Sequence, residues 1–221
     1  MNDFYENNFN ELFYSRGIAS IATRFIHIAL EFKIRKENYP LVLEIGGGEG
    51  NHVPFVRHEY KEYTLSDIDR RPLNSVAAQL LVEKKLKFDI QDAHRLSYGP
   101  ESFDRVVFMC VLHHLENPEK SLAEARRVLK PGGLLSIYLP CDPGIIYRMT
   151  RSLLVGFGSR KLGLNYKLLN AQEHRNHVQS LELMIDHAFS RDSIRTLRFP
   201  FGVKSWNMNY FYVIHICKGE N

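Results

Sequence analysis

The chain has little of what marks several large classes of protein. Cysteine is scarce: Cys110, Cys141 and Cys217 are the full set in 221 residues, an odd and widely spaced trio. That excludes a disulfide framework, and without a C-x-x-C pair there is no zinc-ribbon spacing. No apolar run approaches the ~20 residues of a membrane-spanning helix. No long basic tract is present. The 29 Lys and Arg stand among 25 Asp and Glu, for a net charge of +4, and signs mix as in Arg35-Lys36-Glu37 and Glu83-Lys84-Lys85. Such mixing belongs to solvated helix faces and leaves no electrostatic footprint for nucleic acid. The start, Met1-Asn2-Asp3-Phe4-Tyr5-Glu6, lacks the basic-then-apolar order of a secretory leader. The expectation is a cytoplasmic protein with no membrane and no nucleic-acid partner. Internal repeats and low-complexity tracts are missing as well.

What is present is an ordinary apolar fraction, 44%, enough for one α/β domain with a modest elaboration. Residues 1–40 read as helical, with Ile18, Ile21, Ala22, Phe25, Ile26, Ala29, Leu30 and Phe32 recurring at helical spacing. Strand-like runs follow at 41–45, 63–66, 86–88, 103–109 and 134–139. Helices are expected after Asn51, around Pro72 to Leu81, and over Asn117–Lys130, where Pro131-Gly132-Gly133 should stop the last of them. Alternation of this kind implies a doubly wound, mostly parallel sheet. Two more strand-like segments, 193–200 and 209–218, have only a turn-rich stretch between them and should form an antiparallel hairpin at the sheet edge. The expected fold is a seven-stranded α/β sheet with N-terminal helices, a helical insertion after the fifth strand and that hairpin. It is one domain over 1–221: a helical lid at 1–40, a binding core at 41–140, an insertion at 141–190 and the hairpin at 191–221.

The most telling stretch is Glu44-Ile45-Gly46-Gly47-Gly48-Glu49-Gly50, directly after the strand Leu41-Val42-Leu43. Glycines in a strand-to-helix turn let backbone N–H groups approach a ligand closely. A dinucleotide fingerprint would need a third glycine where Asn51 stands. Four further segments follow in order: Leu65-Ser66-Asp67-Ile68-Asp69; Asp89-Ile90-Gln91-Asp92-Ala93; Ser102-Phe103-Asp104-Arg105-Val106-Val107; and Arg126-Arg127-Val128-Leu129-Lys130-Pro131-Gly132-Gly133. Val111-Leu112-His113-His114-Leu115 lies between the last two.

Together these resemble the motifs of class I S-adenosylmethionine-dependent methyltransferases over about residues 40–140. The likeness is to the small-molecule (type 11-like) branch, with its quinone-biosynthesis C-methyltransferases and natural-product O- and N-methyltransferases. The resemblance implies S-adenosylmethionine as cofactor and S-adenosylhomocysteine as product. It implies that Gly46, Gly47, Gly48 and Gly50 lie against the methionine part, and that Glu44 receives its ammonium or holds the loop through backbone hydrogen bonds. Asp67 would accept the ribose hydroxyls, Ile68 would pack on adenine, Asp92 and Ala93 would meet its edge, and the Cys110 backbone would line the methionine end. The aromatic segment around Phe4, Tyr5, Phe9, Phe13 and Tyr14 is expected to close over the cofactor with Tyr14 nearest.

Methyl transfer needs positioning and sometimes a base. The Asn/Asp-Pro-Pro-aromatic motif of base and amide N-methyltransferases is replaced by Met109-Cys110-Val111-Leu112. His113 and His114 follow the fourth strand, at the sheet edge where ligands bind in open α/β folds. His113 is the preferred base, and the rate should then fall below about pH 6.5. Asp142 would orient a base or bind a hydroxyl, or only cap a turn before Pro143. Glu173-His174-Arg175-Asn176-His177 is expected on one helix, with His177 toward the acceptor; it is not H-E-x-x-H, so no zinc-protease site is implied, and the cluster could line a polar acceptor pocket, hold a divalent metal or only cap and solvate, with no metal ligand assigned. The resulting expectation is methylation of a small polar acceptor, a hydroxyl of a sugar or natural-product intermediate. Alternatives are a quinone-like or lipid acceptor, or a regulator that binds the nucleoside without turnover.

Overall fold

The structure is a computed structural model that describes residues 18–34, 38–70, 85–161, 163 and 165–220. The proposed lid, including Tyr14, and the helix expected around Pro72–Leu81 lie outside these described residues. The described elements run α1 (Ile18–Leu30), β1 (Leu41–Ile45), β2 (Glu62–Asp67), β3 (Leu86–Ile90), β4 (Phe103–Met109), α2 (Pro118–Val128) and β5 (Leu129–Pro140). Then come α3 (Ile145–Lys161), α4 (Tyr166–Glu173), α5 (Val178–Ala188), β6 (Ser193–Phe199) and β7 (Phe211–Cys217).

The seven strands form one sheet in the order β3-β2-β1-β4-β5-β7-β6. Pairings from β3 through β5 are parallel, and β7 is antiparallel to both β5 and β6. The terminal hairpin expected from sequence is therefore present at the edge, with β7 on its inner side. Strand order reverses between β1 and β4, which opens a crevice at their carboxyl ends. The buried strand residues alternate between two cores. Leu43, Ile45, Val106 and Phe108 pack with Leu122, Ala125 and Val128 of α2 and with Val178, Leu181 and Ile185 of α5. Val42, Val107, Met109 and Val213 pack with Ala29 and Leu30 of α1. Asp104 ties the layers in register: its carboxylate accepts from the Leu41 N–H at 2.9 Å and from Lys130 Nζ at 2.9 Å.

Four expectations need correction. The helix after the glycine loop is only a 3-10 turn, Val53–Phe55, with Pro54 inside it and Val56 already extended. The helix expected to reach Lys130 ends at Val128, and β5 begins at Leu129, because Leu129 pairs with Phe103 before a bulge over the Pro-Gly-Gly run. In α1 the buried face is mixed: Thr23 and His27 are buried with Ala29 and Leu30, while Ile21 is 67% exposed. The polar part of that face is held because Glu31, just past the helix, meets a buried arginine in the sheet. Last, Glu173 and His177 do not share a helix, since α4 ends at Glu173 and His177 is the N-cap of α5.

Candidate active site

The crevice between β1 and β4 is walled on one side by the glycine loop. Gly46, Gly48 and Gly50 all have positive φ, +67°, +49° and +73°, a region that side chains enter at a cost. Two of the loop positions are also sterically committed. A Cβ on Gly46 would stand 2.6 Å from the Val111 side chain across the crevice, and one on Gly47 would stand 2.8 Å from Leu65. Gly48 is the exception: among the described residues a Cβ there would meet nothing within 4 Å, so its backbone borders open space among them.

Asp67, at the end of β2, fixes that glycine. Its Oδ2 accepts from the Gly48 N–H at 3.1 Å and its Oδ1 from the Asp69 N–H at 3.0 Å. Burial pushes this carboxyl up, against the pull of those N–H donors. Each oxygen keeps acceptor capacity for a ribose hydroxyl. Ile68 beside it is 73% exposed, an apolar face with nothing on it. Asp92 is exposed and accepts from the backbone N–H of His94 at 2.9 Å and contacts its ring Nδ1 at 2.7 Å; the His94 backbone bond holds its carboxyl below the usual range. Ala93 is buried in the core next to it. Glu44 is buried, and its partner is the Tyr63 hydroxyl at 2.7 Å rather than the loop backbone; burial raises its pKa. Cys110 has φ +62°, a strained turn for a side chain, and it swings Val111 against Gly46. Burial pushes its thiol up to about 11, which makes it a backbone wall and not a nucleophile.

The opposite wall holds the histidines. His113 and His114 lie in a 3-10 turn after β4, and His174 caps the end of α4. The three rings cluster, His113 tilted on His114 and His174 edge-on to both, with centroids 3.9 Å apart for His113–His114, 4.4 Å for His113–His174 and 5.1 Å for His114–His174. Asn176 stitches the two segments: its backbone N–H donates to the His113 carbonyl at 3.1 Å and its side chain to the Leu115 carbonyl at 2.7 Å. Asp142, just past β5, accepts from Asn170 and contacts His174 Nδ1, both at 2.9 Å. Burial opposes its charge, but His174, Asn170 and Arg148 outweigh that and keep its carboxyl below the usual range. The contact fixes the orientation of the His174 ring. Burial, then the neighbouring imidazoles, lowers His114 to about 4 and His113 well below 6.5. His177 is exposed and stands apart from this group.

Two features escaped the sequence reading. His174 was legible only as part of a helical cluster, and its meeting with His113 depends on the break after Glu173. The second is a buried ion network. Arg105 on β4 is 0% exposed and holds Glu31 with both guanidinium nitrogens, at 2.6 and 3.2 Å. His52, two residues past the glycine loop, meets Glu31 at 3.0 Å and His27 at 3.1 Å. His58 contacts the same guanidinium at 2.7 Å. An arginine inside a strand was the available signal.

Known proteins resemble this chain in sequence and fold. Residues 43–137 match the family described as methyltransferase domain. A polyketide synthase-nonribosomal peptide synthetase of Aspergillus clavatus is 31% identical over 146 residues, 61% of this chain and 3% of that protein. Norajmaline N-methyltransferase of Rauvolfia serpentina is 31% identical over 120 residues, 52% of this chain and 40% of the relative. The chain thus spans a small part of the curated relatives it matches. The N-methyltransferase NodS of Bradyrhizobium japonicum, solved with S-adenosyl-L-homocysteine, superposes with a TM-score of 0.65 at 16% identity, covering 98% of this chain and 99% of the other.

Proposed function

The core of this chain is a class I S-adenosylmethionine-dependent methyltransferase domain, and from that premise we propose that the protein methylates a small polar acceptor, a hydroxyl of a sugar or natural-product intermediate. The observation that carries the reading is the open space bordered by Gly48, whose N–H is held by Asp67 at the strand-order reversal. The residues fit the cofactor. Asp67 takes the ribose hydroxyls, exposed Ile68 covers adenine, Asp92 and Ala93 border its edge, and the loop glycines and Cys110 backbone enclose the methionine part. Glu44, buried beneath Gly47, supplies the negative charge for the ammonium. Tyr14 belongs to the segment proposed to close over this site.

When bound, S-adenosylmethionine supplies an electrophilic methyl group on a sulfonium. The chain aligns the acceptor, excludes water and manages the acceptor's proton. The group assigned to that proton is the set His113, His114 and His174: burial lowers the first two below the usual imidazole range, and Asp142 orients the third. His177 is assigned to the rim of the acceptor pocket. The relatives named above, a norajmaline N-methyltransferase and a polyketide synthase-nonribosomal peptide synthetase, favour a small-molecule acceptor over a macromolecule.

The test is calorimetric titration with S-adenosylhomocysteine, then incubation with methyl-labelled S-adenosylmethionine and a panel of sugars, phenols, quinols and amines. Tight nucleoside binding with a labelled methyl ether is expected. No binding would sink the cofactor assignment. Binding with label only in quinols or amines would replace the acceptor, and binding with no label in any acceptor would favour a regulator.

A further inference from the structure

We propose that His113, His114 and His174 form a binding site for a divalent transition metal of the zinc type. One ring nitrogen from each lies within 4.8 Å of the others. Three imidazoles around Zn²⁺ need nitrogens about 3.4 Å apart, given metal–nitrogen bonds of about 2.0–2.1 Å, so small side-chain rotations close the set. The hydrogen bonds around the rings are those of a metal site's outer shell. His114 Nδ1 is committed to the Glu173 carbonyl at 2.8 Å, and His174 Nδ1 to the Asp142 carboxylate at 2.9 Å. Both partners are acceptors, so each Nδ1 carries the proton and each Nε2 keeps a lone pair. A carboxylate or carbonyl behind a ligating histidine fixes its tautomer and raises its basicity.

His113 is the independent observation. It is 2% exposed, and neither of its ring nitrogens has a hydrogen-bond partner among the described residues. A buried polar atom left without a partner carries an uncompensated desolvation cost. A metal engages one of the two. Neutral imidazoles without a direct carboxylate, near the cationic Arg151 and Arg175, favour Zn²⁺, Co²⁺ or Ni²⁺ over Mg²⁺ or Ca²⁺. Three protein ligands leave a fourth position open. At the acceptor side it would bind the hydroxyl oxygen and lower its pKa. That use rests on the acceptor reading above; the metal site does not.

The experiment is titration of chelator-treated protein, with any affinity tag removed, with Co²⁺, followed by its visible ligand-field bands, and by metal analysis after Zn²⁺ loading. One equivalent should bind with a Kd of about 10 µM or tighter. His113→Ala and His174→Ala should each weaken it at least 100-fold, and Asp142→Asn about 10- to 100-fold. S-adenosylhomocysteine affinity in the same variants, read separately, certifies the fold. Absence of stoichiometric metal, or Co²⁺ spectra unchanged in correctly folded histidine variants, would overturn the site. Metal bound as stated, with methyl transfer indifferent to its removal, would keep the site and overturn its use on the acceptor.

Discussion

At the residue scale the cofactor half rests on two neighbours, Gly48 and Asp67. Asp67→Ala removes acceptors for the ribose and also releases the Gly48 N–H it holds at 3.1 Å. Affinity for S-adenosylhomocysteine should fall by about 2–4 kcal/mol. Calorimetry checks this, and an unchanged isotherm would remove Asp67 from the ribose. Gly48→Ala adds a Cβ that meets no atom of the described residues within 4 Å, at φ +49°. The strain costs about 1–2 kcal/mol of stability. Ligand affinity should drop further, because the methyl enters the space the cofactor needs. A variant that folds and binds like the parent would mean the cofactor lies elsewhere. The local placement of both residues was legible in sequence because chemistry ties it to local order: a glycine at a tight turn and an acid at a strand end. His174 was not, because its role depends on a chain reversal between α4 and α5 that no periodicity announces.

At the scale of elements, the strands were legible and the helix ends were not. β4 reads as a nearly unbroken apolar run and is one, apart from Asp104 and Arg105. The first helix misled, since its apolar period suggested a greasy inner face where Thr23 and His27 are also buried. The partner that makes this possible, Arg105, is more than seventy residues away in sequence. Glu31→Ala leaves that guanidinium buried without its bidentate partner and should cost about 3–5 kcal/mol. The pair Glu31→Leu with Arg105→Met should cost less than the sum of the two single changes, because neither charge is then stranded. Urea denaturation of the four proteins measures the coupling; additive losses would show that the two charges act independently. Glu31 also meets His52, so the same contact braces the short turn that follows the glycine loop where a full helix was expected.

At the scale of the whole molecule, buried histidines set the response to acid. Burial, and then His52, lowers His27 to about 3; burial, and then Arg105, lowers His215 to about 4, both from 6.5. The folded values lie below the unfolded one. Between them the unfolded chain binds protons that the folded chain refuses. Stability is therefore complete above about pH 6.5 and is lost as pH falls, by up to about 1.4 kcal/mol per pH unit per group. Glu31 acts later: Arg105 and His52 overcome its burial and hold it below the usual range, so its contribution goes only below 4.5. The urea midpoint should drop between pH 7 and pH 5, and His27→Phe should flatten that slope. A midpoint constant over this range would contradict neutral burial of these rings.

The sheet order carries one more consequence. β7 follows β6 in the chain yet lies between β5 and β6, so an interior strand is made after the edge strand it supports. On the ribosome, β5 must wait with an open side until residue 217 has emerged, and β6 has no neighbour until then. The hairpin has to form first or insert late, a non-local step that topology makes slow. Until it happens, the hydrophobic flank of β5 stays available to other chains, and the nascent protein's exposure to aggregation is set by how soon its seventh strand arrives.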